Sequence, residues 1–253
     1  MDKVISDVDS SIADIWPGAS LAIGGFGLCG VPTFLIDALH RAGIGDLSVV
    51  SCTCGIDGVG LGLLLSHKQV SKVTSSYVGE NTEFANQYLS GSLDLELVPQ
   101  GTLAERLRAG GAGIPAFYTP TGVRTEVADG EIPVRYGSDG AVAVTSLAKE
   151  TRDFDGRTYV MEHAIRCDFA LVRARKADRF GNLVFHAAAR NFNPLCAMAG
   201  EITIAEAEEI VEPGDLDPEE VQLPGVFVQR VVQVPRDWEK PVERYVVREQ
   251  GER

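Results

Sequence analysis

The chain has 253 residues, 45% of them hydrophobic, with 36 Asp and Glu against 23 Lys and Arg, a formal net charge of −13. That length suits one large α/β domain or two small ones and can bury a sizeable core. The acidic balance excludes a general nucleic-acid binder and a binder of anionic membrane surfaces, and no apolar run approaches the roughly 20 residues of a membrane span.

Residues 1–16 place Val4, Val8, Ile12, Ala13 and Ile15-Trp16 in loose helical spacing, ended by Pro17-Gly18. Leu21-Ala-Ile23 ends a short buried strand. Gly24, Gly25, Gly27 and Gly30 follow within seven residues, and Phe34-Leu-Ile-Asp-Ala-Leu39 has helical spacing. This is strand, glycine turn, helix. Without Cβ atoms such a turn admits a ligand close to its backbone. The first amides of the next helix, with Pro32 fitted to its first turn, suit a phosphate or an oxyanion. The spacing is neither G-x-G-x-x-G nor a Walker loop.

Leu47–Ser51 is the second strand, giving a βαβ unit with a parallel pair. The arrangement then returns: Cys54–Gly62 is glycine-rich and Leu63-Leu-Leu65 leads on. Val70–Tyr77 reads as a third strand, Gly79-Glu80-Asn81 turns into a helix over Glu83–Leu89, and Leu93–Val98 alternates like a strand with one wet face. Pro99–Thr102 leads into the helix Leu103–Ala109. Ligand groups gather where strands end and helices begin, and four such corners stand out: Gly24–Gly30, Ser51–Gly58, Gly79–Asn81 and Pro99–Thr102.

Downstream, Ala116–Thr119 is a short strand. An antiparallel, turn-rich excursion follows around 122–160, with Pro133–Tyr136, Ala141–Val144 and Thr158–Met161 as its strands and a helix around Glu162–Ile165. Cys167–Arg173 is a buried strand and Leu183–Phe185 a short one. A helix starts at Asn191-Phe-Asn-Pro194 and runs to Ala199, Ile202–Ala205 is a strand, and Val226–Val232 is the last. The expected fold is an open, mostly parallel sheet flanked by helices. One domain covers 1–235, and 236–253 form a charged tail.

Five cysteines, odd in number and scattered (Cys29, Cys52, Cys54, Cys167 and Cys196), argue against disulfides. Cys52-Thr-Cys54 is too tight for a zinc arm, so no metal is expected. The N-terminus lacks the basic-then-apolar form of a secretory signal, and the expected location is the cytoplasm.

Four stretches carry a resemblance: Gly24–Pro32; Tyr77–Asn81; Pro99–Glu105 with Gly110–Pro120; and Ala177–Asn182 with Ala189–Pro194. In order and over nearly the whole chain, they resemble the A-type subunits of the family I CoA-transferases, the succinyl-CoA:3-oxoacid type. The resemblance implies transfer of CoA from succinyl-CoA to acetoacetate or a related 3-oxo acid. The route is ping-pong, through a glutamyl-CoA thioester, with CoA as a substrate and no metal or organic cofactor. It also implies a hetero-oligomer with a B-type subunit that carries the nucleophilic Glu, because the Ser-Glu-Asn-Gly-like motif is absent here.

By position, Gly24, Gly25, Phe26, Gly27, Leu28, Cys29 and Gly30 match the family's CoA-binding signature. Gln100 matches a glutamine facing the partner's nucleophile. Cys52, Thr53, Glu80 and Asn81 stand at neighbouring corners. Glu80 is the one tempting nucleophile, but a carboxylate capping the next helix is the plainer reading. Asn191 and Asn193 read first as N-caps. His40, His67, His163 and His186 share no motif. Cys52-Thr53 replaces an Asn-Asn pair usual in relatives, losing donors and volume, which bears on the choice of acid. Arg124 and Arg175 stand where relatives carry a small residue and a Trp. Two other readings stay open on fold analogy: a CoA-ester hydrolase, and a non-catalytic module binding CoA or a sugar phosphate.

Overall fold

The structure, a computed structural model, describes residues 1–238. Residues 239–253, most of the expected charged tail, lie outside the described residues. In chain order the elements are β1 (Val4–Ile5), α1 (Val8–Ser11), β2 (Ser20–Ile23), α2 (Thr33–Arg41), β3 (Leu47–Val50), α3 (Leu61–Ser66), β4 (Val70–Ser75), α4 (Thr82–Leu89), β5 (Asp94–Leu97) and α5 (Gln100–Gly111). There follow β6 (Ala116–Thr119), α6 (Glu126–Asp129), β7 (Pro133–Tyr136), β8 (Val142–Thr145), β9 (Thr151–Phe154), β10 (Arg157–His163), β11 (Cys167–Asp178), β12 (Leu183–Val184), α7 (Asn193–Ala199), β13 (Gly200–Val211) and β14 (Arg230–Gln233).

The main sheet runs β1-β14-β13-β11-β2-β3-β4-β5, all parallel, with β12 antiparallel on β11. Its central strands β2 and β3 are largely buried, as a sheet covered on both faces requires. Alternation decides which residue meets which layer. Leu21 and Ile23 of β2 join Leu35, Leu39, Leu64 and Phe84 of α2, α3 and α4 in one core. Ala22, between them, joins Leu103, Leu107 and Cys196 of α5 and α7 in the other.

The chain moves outward from β2 through β3 and β4 to β5, then returns to lay β11 on the other side of β2. The direction of winding therefore reverses between β2 and β11, and a crevice opens there at the strands' C-terminal ends. The turn 24–30 emerges at that point.

The antiparallel excursion is two small sheets, β6-β10-β9 and β7-β8. It begins and ends slightly outside the expected bounds. Arg106 of α5 ties it back, donating to the His163 carbonyl at 2.8 Å and to Glu96 at 2.6 Å.

Several elements differ from expectation. The helix expected at 162–165 is absent: β10 continues through Glu162 and His163, and the buried Glu162 pairs with Lys149. In the sequence, this inward-facing charge has the look of a helix surface. The helical spacing of 1–16 yields only α1, because Val4–Ile5 is drawn into the sheet beside β14. The last strand among the described residues is β14, later and shorter than Val226–Val232, since Gly225–Phe227 forms a 3-10 turn. β13 is longer than expected, and its glutamates disguise it.

Candidate active site

The glycine turn is closed by a pair of bonds. Phe26 and Cys29 exchange N–H to carbonyl bonds of 3.0 Å, and the Gly24 amide donates to Leu171 of β11 at 3.0 Å. At Gly24 a Cβ would stand 2.0 Å from Asn193 Oδ1, so no larger residue fits. Gly27 is different. Its φ of +59° favours glycine, and nothing lies within 4 Å of where a Cβ would stand. Gly24 is glycine for packing, and Gly27 is glycine for shape and access.

Asn191 and Asn193 are not N-caps. Asn193 lies inside α7, wholly buried. Its amide nitrogen donates to the carbonyls of Gly30 (2.9 Å) and Ala189 (2.8 Å), and its oxygen accepts from the Arg173 amide (2.9 Å). Asn191 donates to the Cys29 carbonyl at 3.0 Å. Two asparagines from far along the chain thus brace the turn from behind.

The second glycine-rich corner repeats the first at an offset of thirty residues. Ile56 and Val59 bridge as Phe26 and Cys29 do. Here too an asparagine braces it: Asn81 donates to the Cys54 carbonyl at 3.1 Å while its oxygen caps α4 through the Phe84 amide at 2.8 Å. Asn81, not Glu80, is therefore the cap. Glu80 precedes it, exposed, with φ +63°.

Between the turns lies an open cleft of about 230 Å³. Gly27, Leu28, Thr53 and Glu80 line it, with Gly55, Ile56, Tyr77 and Gly79. Thr53 Oγ1 donates to the Gly27 carbonyl at 3.3 Å, locking one turn to the other. Gly25, Phe26, Cys29 and Gly30 shape the turn without lining the cleft. Cys52 is buried beneath it, its Sγ 3.4 Å from Ser76 Oγ. Burial pushes the Cys52 thiol above its ordinary pKa, while the side chains of Ser76 and Gln100 act against the shift. Gln100 thus stands beside the Cys52 corner. Arg124 and Arg175 are exposed, and neither lines the cleft. His40 and His67 pack ring to ring at 4.1 Å at the ends of α2 and α3 remote from the turns.

The starts of the helices differ in what holds them. The amides opening α2 do not face a ligand as expected. Leu35 donates to the Glu206 carboxylate at 2.9 Å, and the neighbouring Phe34 amide acts with it to hold down the carboxyl's pKa. α4 has its asparagine cap, and Asp57 accepts from the Glu83 amide. α5 begins after Pro99 with no side-chain cap and no acid in its first turn. The amides of Gln100, Gly101 and Thr102 find no acceptor among the described residues, and the buried Thr102 hydroxyl has no partner. Donors free to meet an anion are therefore at Gln100, not at Thr33.

Residues 5–234 match the family profile of coenzyme A transferase. The chain belongs to the coenzyme A transferase family. It is 63% identical over 249 residues to the A-type subunit of the probable succinyl-CoA:3-ketoacid coenzyme A transferase of Mycobacterium tuberculosis, covering 98% of this chain and 100% of that one. It is 52% identical over 246 residues to the mitochondrial succinyl-CoA:3-ketoacid coenzyme A transferase 2 of Homo sapiens, covering 97% of this chain but 47% of that protein. An acyl-CoA transferase from Escherichia coli O157:H7, solved as a thioester complex with CoA, shares the fold (TM-score 0.77, 24% identity, 94% of this chain and 48% of that one). The chain spans about half the length of the latter two.

Among the described residues this CoA transferase chain has no group of three or more His, Cys, Asp or Glu placed to hold a metal, and no helix long and apolar enough to cross a membrane. One of its carboxyls, that of Glu206, has a pKa shifted upward. Fully buried on β13, its carboxyl is pushed up to about 7 by burial, opposed by Arg173 and the two α2 amides. Between about pH 4.5 and 7 the folded state keeps a proton that the unfolded chain has released, so on this group's account stability falls as pH rises through that window. Glu206→Gln removes the dependence. Urea unfolding at pH 4.5 and pH 8 is expected to show the variant gaining on the native protein by on the order of 3 kcal/mol over that range. A gap that stays constant with pH would refute the assignment.

Proposed function

We propose that the protein is the A-type half of a succinyl-CoA:3-ketoacid CoA transferase and works with a separate B-type subunit in the cytoplasm, in the metabolism of ketone bodies. The observation that carries this is the full-length match to relatives named as the A-type half alone, beside a human relative of which the chain spans only 47%. The rest of the site is supplied by the partner, which bears the nucleophilic glutamate. That carboxylate attacks the thioester carbonyl of succinyl-CoA. CoA thiolate is expelled and a mixed succinyl–glutamyl anhydride forms. The thiolate then attacks the glutamyl carbonyl of that anhydride and succinate leaves, so CoA stays as a glutamyl thioester until acetoacetate or a related acid takes it in the reverse sequence. No metal or organic cofactor takes part, and coenzyme A is itself a substrate.

This chain supplies the mould. The glycine turn presents backbone at Gly27 to the CoA ester, and Gln100 with the open start of α5 offers donors where negative charge develops on the carbonyl oxygen. Thr53 borders the acid, Cys52 is buried beneath it, and the pair bears on which acid is accepted. Glu80 is not the nucleophile in this reading.

The test is to express the chain alone and with the B-type chain, and to follow acetoacetyl-CoA formed from succinyl-CoA and acetoacetate. Activity in the pair alone, with the glutamyl-CoA adduct on the other chain, is expected. Activity in this chain alone, abolished by Glu80→Ala, would place the chemistry here instead. Steady hydrolysis without transfer would make it a CoA-ester hydrolase.

A further inference from the structure

The start of α2 is held by a charge that no local motif announces. Glu206 lies on β13, 171 residues from Leu35, and is completely buried. One oxygen accepts from the Leu35 amide, and the other makes no hydrogen bond. It faces Arg173 of the neighbouring β11, whose guanidinium approaches to 3.7 Å and also meets Glu208 at 3.1 Å. Arg173 is itself 4% exposed. A buried pair of this kind is a poor source of stability, because the two desolvated ions offset much of their attraction. Its placement has a clearer consequence. α2 follows directly on the glycine turn, with only Val31 and Pro32 between Gly30 and Thr33. The Arg173 backbone is tied through Asn193 to Gly30, and the Arg173 side chain is tied through Glu206 to Leu35. Both ends of the segment 30–35 thus hang from one residue of β11.

We propose that Glu206 is a positioning residue for the transfer reaction: its carboxylate, backed by Arg173, fixes the start of α2 and with it the glycine turn that receives the CoA ester. The proposal rests on the function assigned above to that turn. A carboxylate on helix-start amides accepts stronger bonds than a neutral group and matches the positive end of the helix dipole. Removing its charge loosens the turn without opening the core.

The experiment is run at pH 8, where the native carboxyl, pushed up to about 7, carries its charge, and uses the full chain paired with its B-type partner and two variants, Glu206→Gln and Glu206→Gln with Arg173→Met. Hydrogen exchange read by mass spectrometry is expected to rise roughly tenfold over residues 25–36 in both, with β2, β3 and α5 unchanged. The KM for succinyl-CoA is expected to rise by about tenfold, with kcat held within about twofold. Exchange unchanged over 25–36, or raised evenly across the chain, overturns the proposal. So does an unchanged KM with a loosened turn. If the double variant returns to native behaviour, the defect came from a stranded arginine and the proposal falls. If the native pair transfers no CoA, the functional reading fails, and the exchange result alone decides whether Glu206 holds the turn.

Discussion

Asn193→Ala is expected to destabilise the protein by about 3–5 kcal/mol and to abolish measurable CoA transfer by the pair. The side chain is fully buried and makes three bonds of 2.8–2.9 Å, to two carbonyls and one amide. Truncation strands all three groups, each at about 1–3 kcal/mol, and the total is discounted because water can follow the missing amide into the gap. The functional loss has a separate cause. Gly30 and the Arg173 strand are no longer linked, and the turn loses its back wall. Asn193→Asp keeps the acceptor for Arg173 but not the donor, and should fall between. Urea unfolding with transfer assays checks both effects. A cost under about 1 kcal/mol would mean that the turn holds its shape without the brace.

Gln100→Ala should do the opposite, leaving stability alone and striking the chemistry. Gln100 is exposed at the start of α5, where no acceptor claims its amide or the next two. If its side chain helps carry the charge on the thioester oxygen, its loss lowers kcat by about 10²–10³ with little change in KM. Gln100→Glu keeps the length but sets a negative charge against the reacting carboxylates, and should be at least as damaging. Melting temperatures near native with kcat within threefold of native would remove Gln100 from the mechanism.

Local patterns are legible in the sequence and long-range ones are not. Strand, turn and helix at 20–41 follow from glycine density and spacing, and the parallel sheet follows from their repetition. Asn193 beside Pro194 looks like a cap, because nothing nearby says that its partners are Gly30 and Arg173. Glu206 sits in a run of glutamates that reads as a wet surface, and only the pairing of β11 with β13 turns it inward. Glu162 misleads in the same way. The first amides of α2 look open to an anion, since the residue that fills them arrives from β13, two strands along the sheet. Glu80 and Asn81 stand at the expected corner, but the cap is Asn81: Glu80, at φ +63°, is set ahead of the helix, and its neighbour takes the capping position.

The twin turns bear on how such an enzyme could be redirected to new acids. Thr53 joins them, and beside the open cleft a second space between them, lined by Gly24, Val31, Gly55 and Gly60, holds only about 10 Å³. Where the two turns meet, as at Val31 and Gly60, a substitution in one therefore has to fit the other. Tyr77 and Glu80, which border the cleft from outside both turns, are the positions where single changes can be read one at a time.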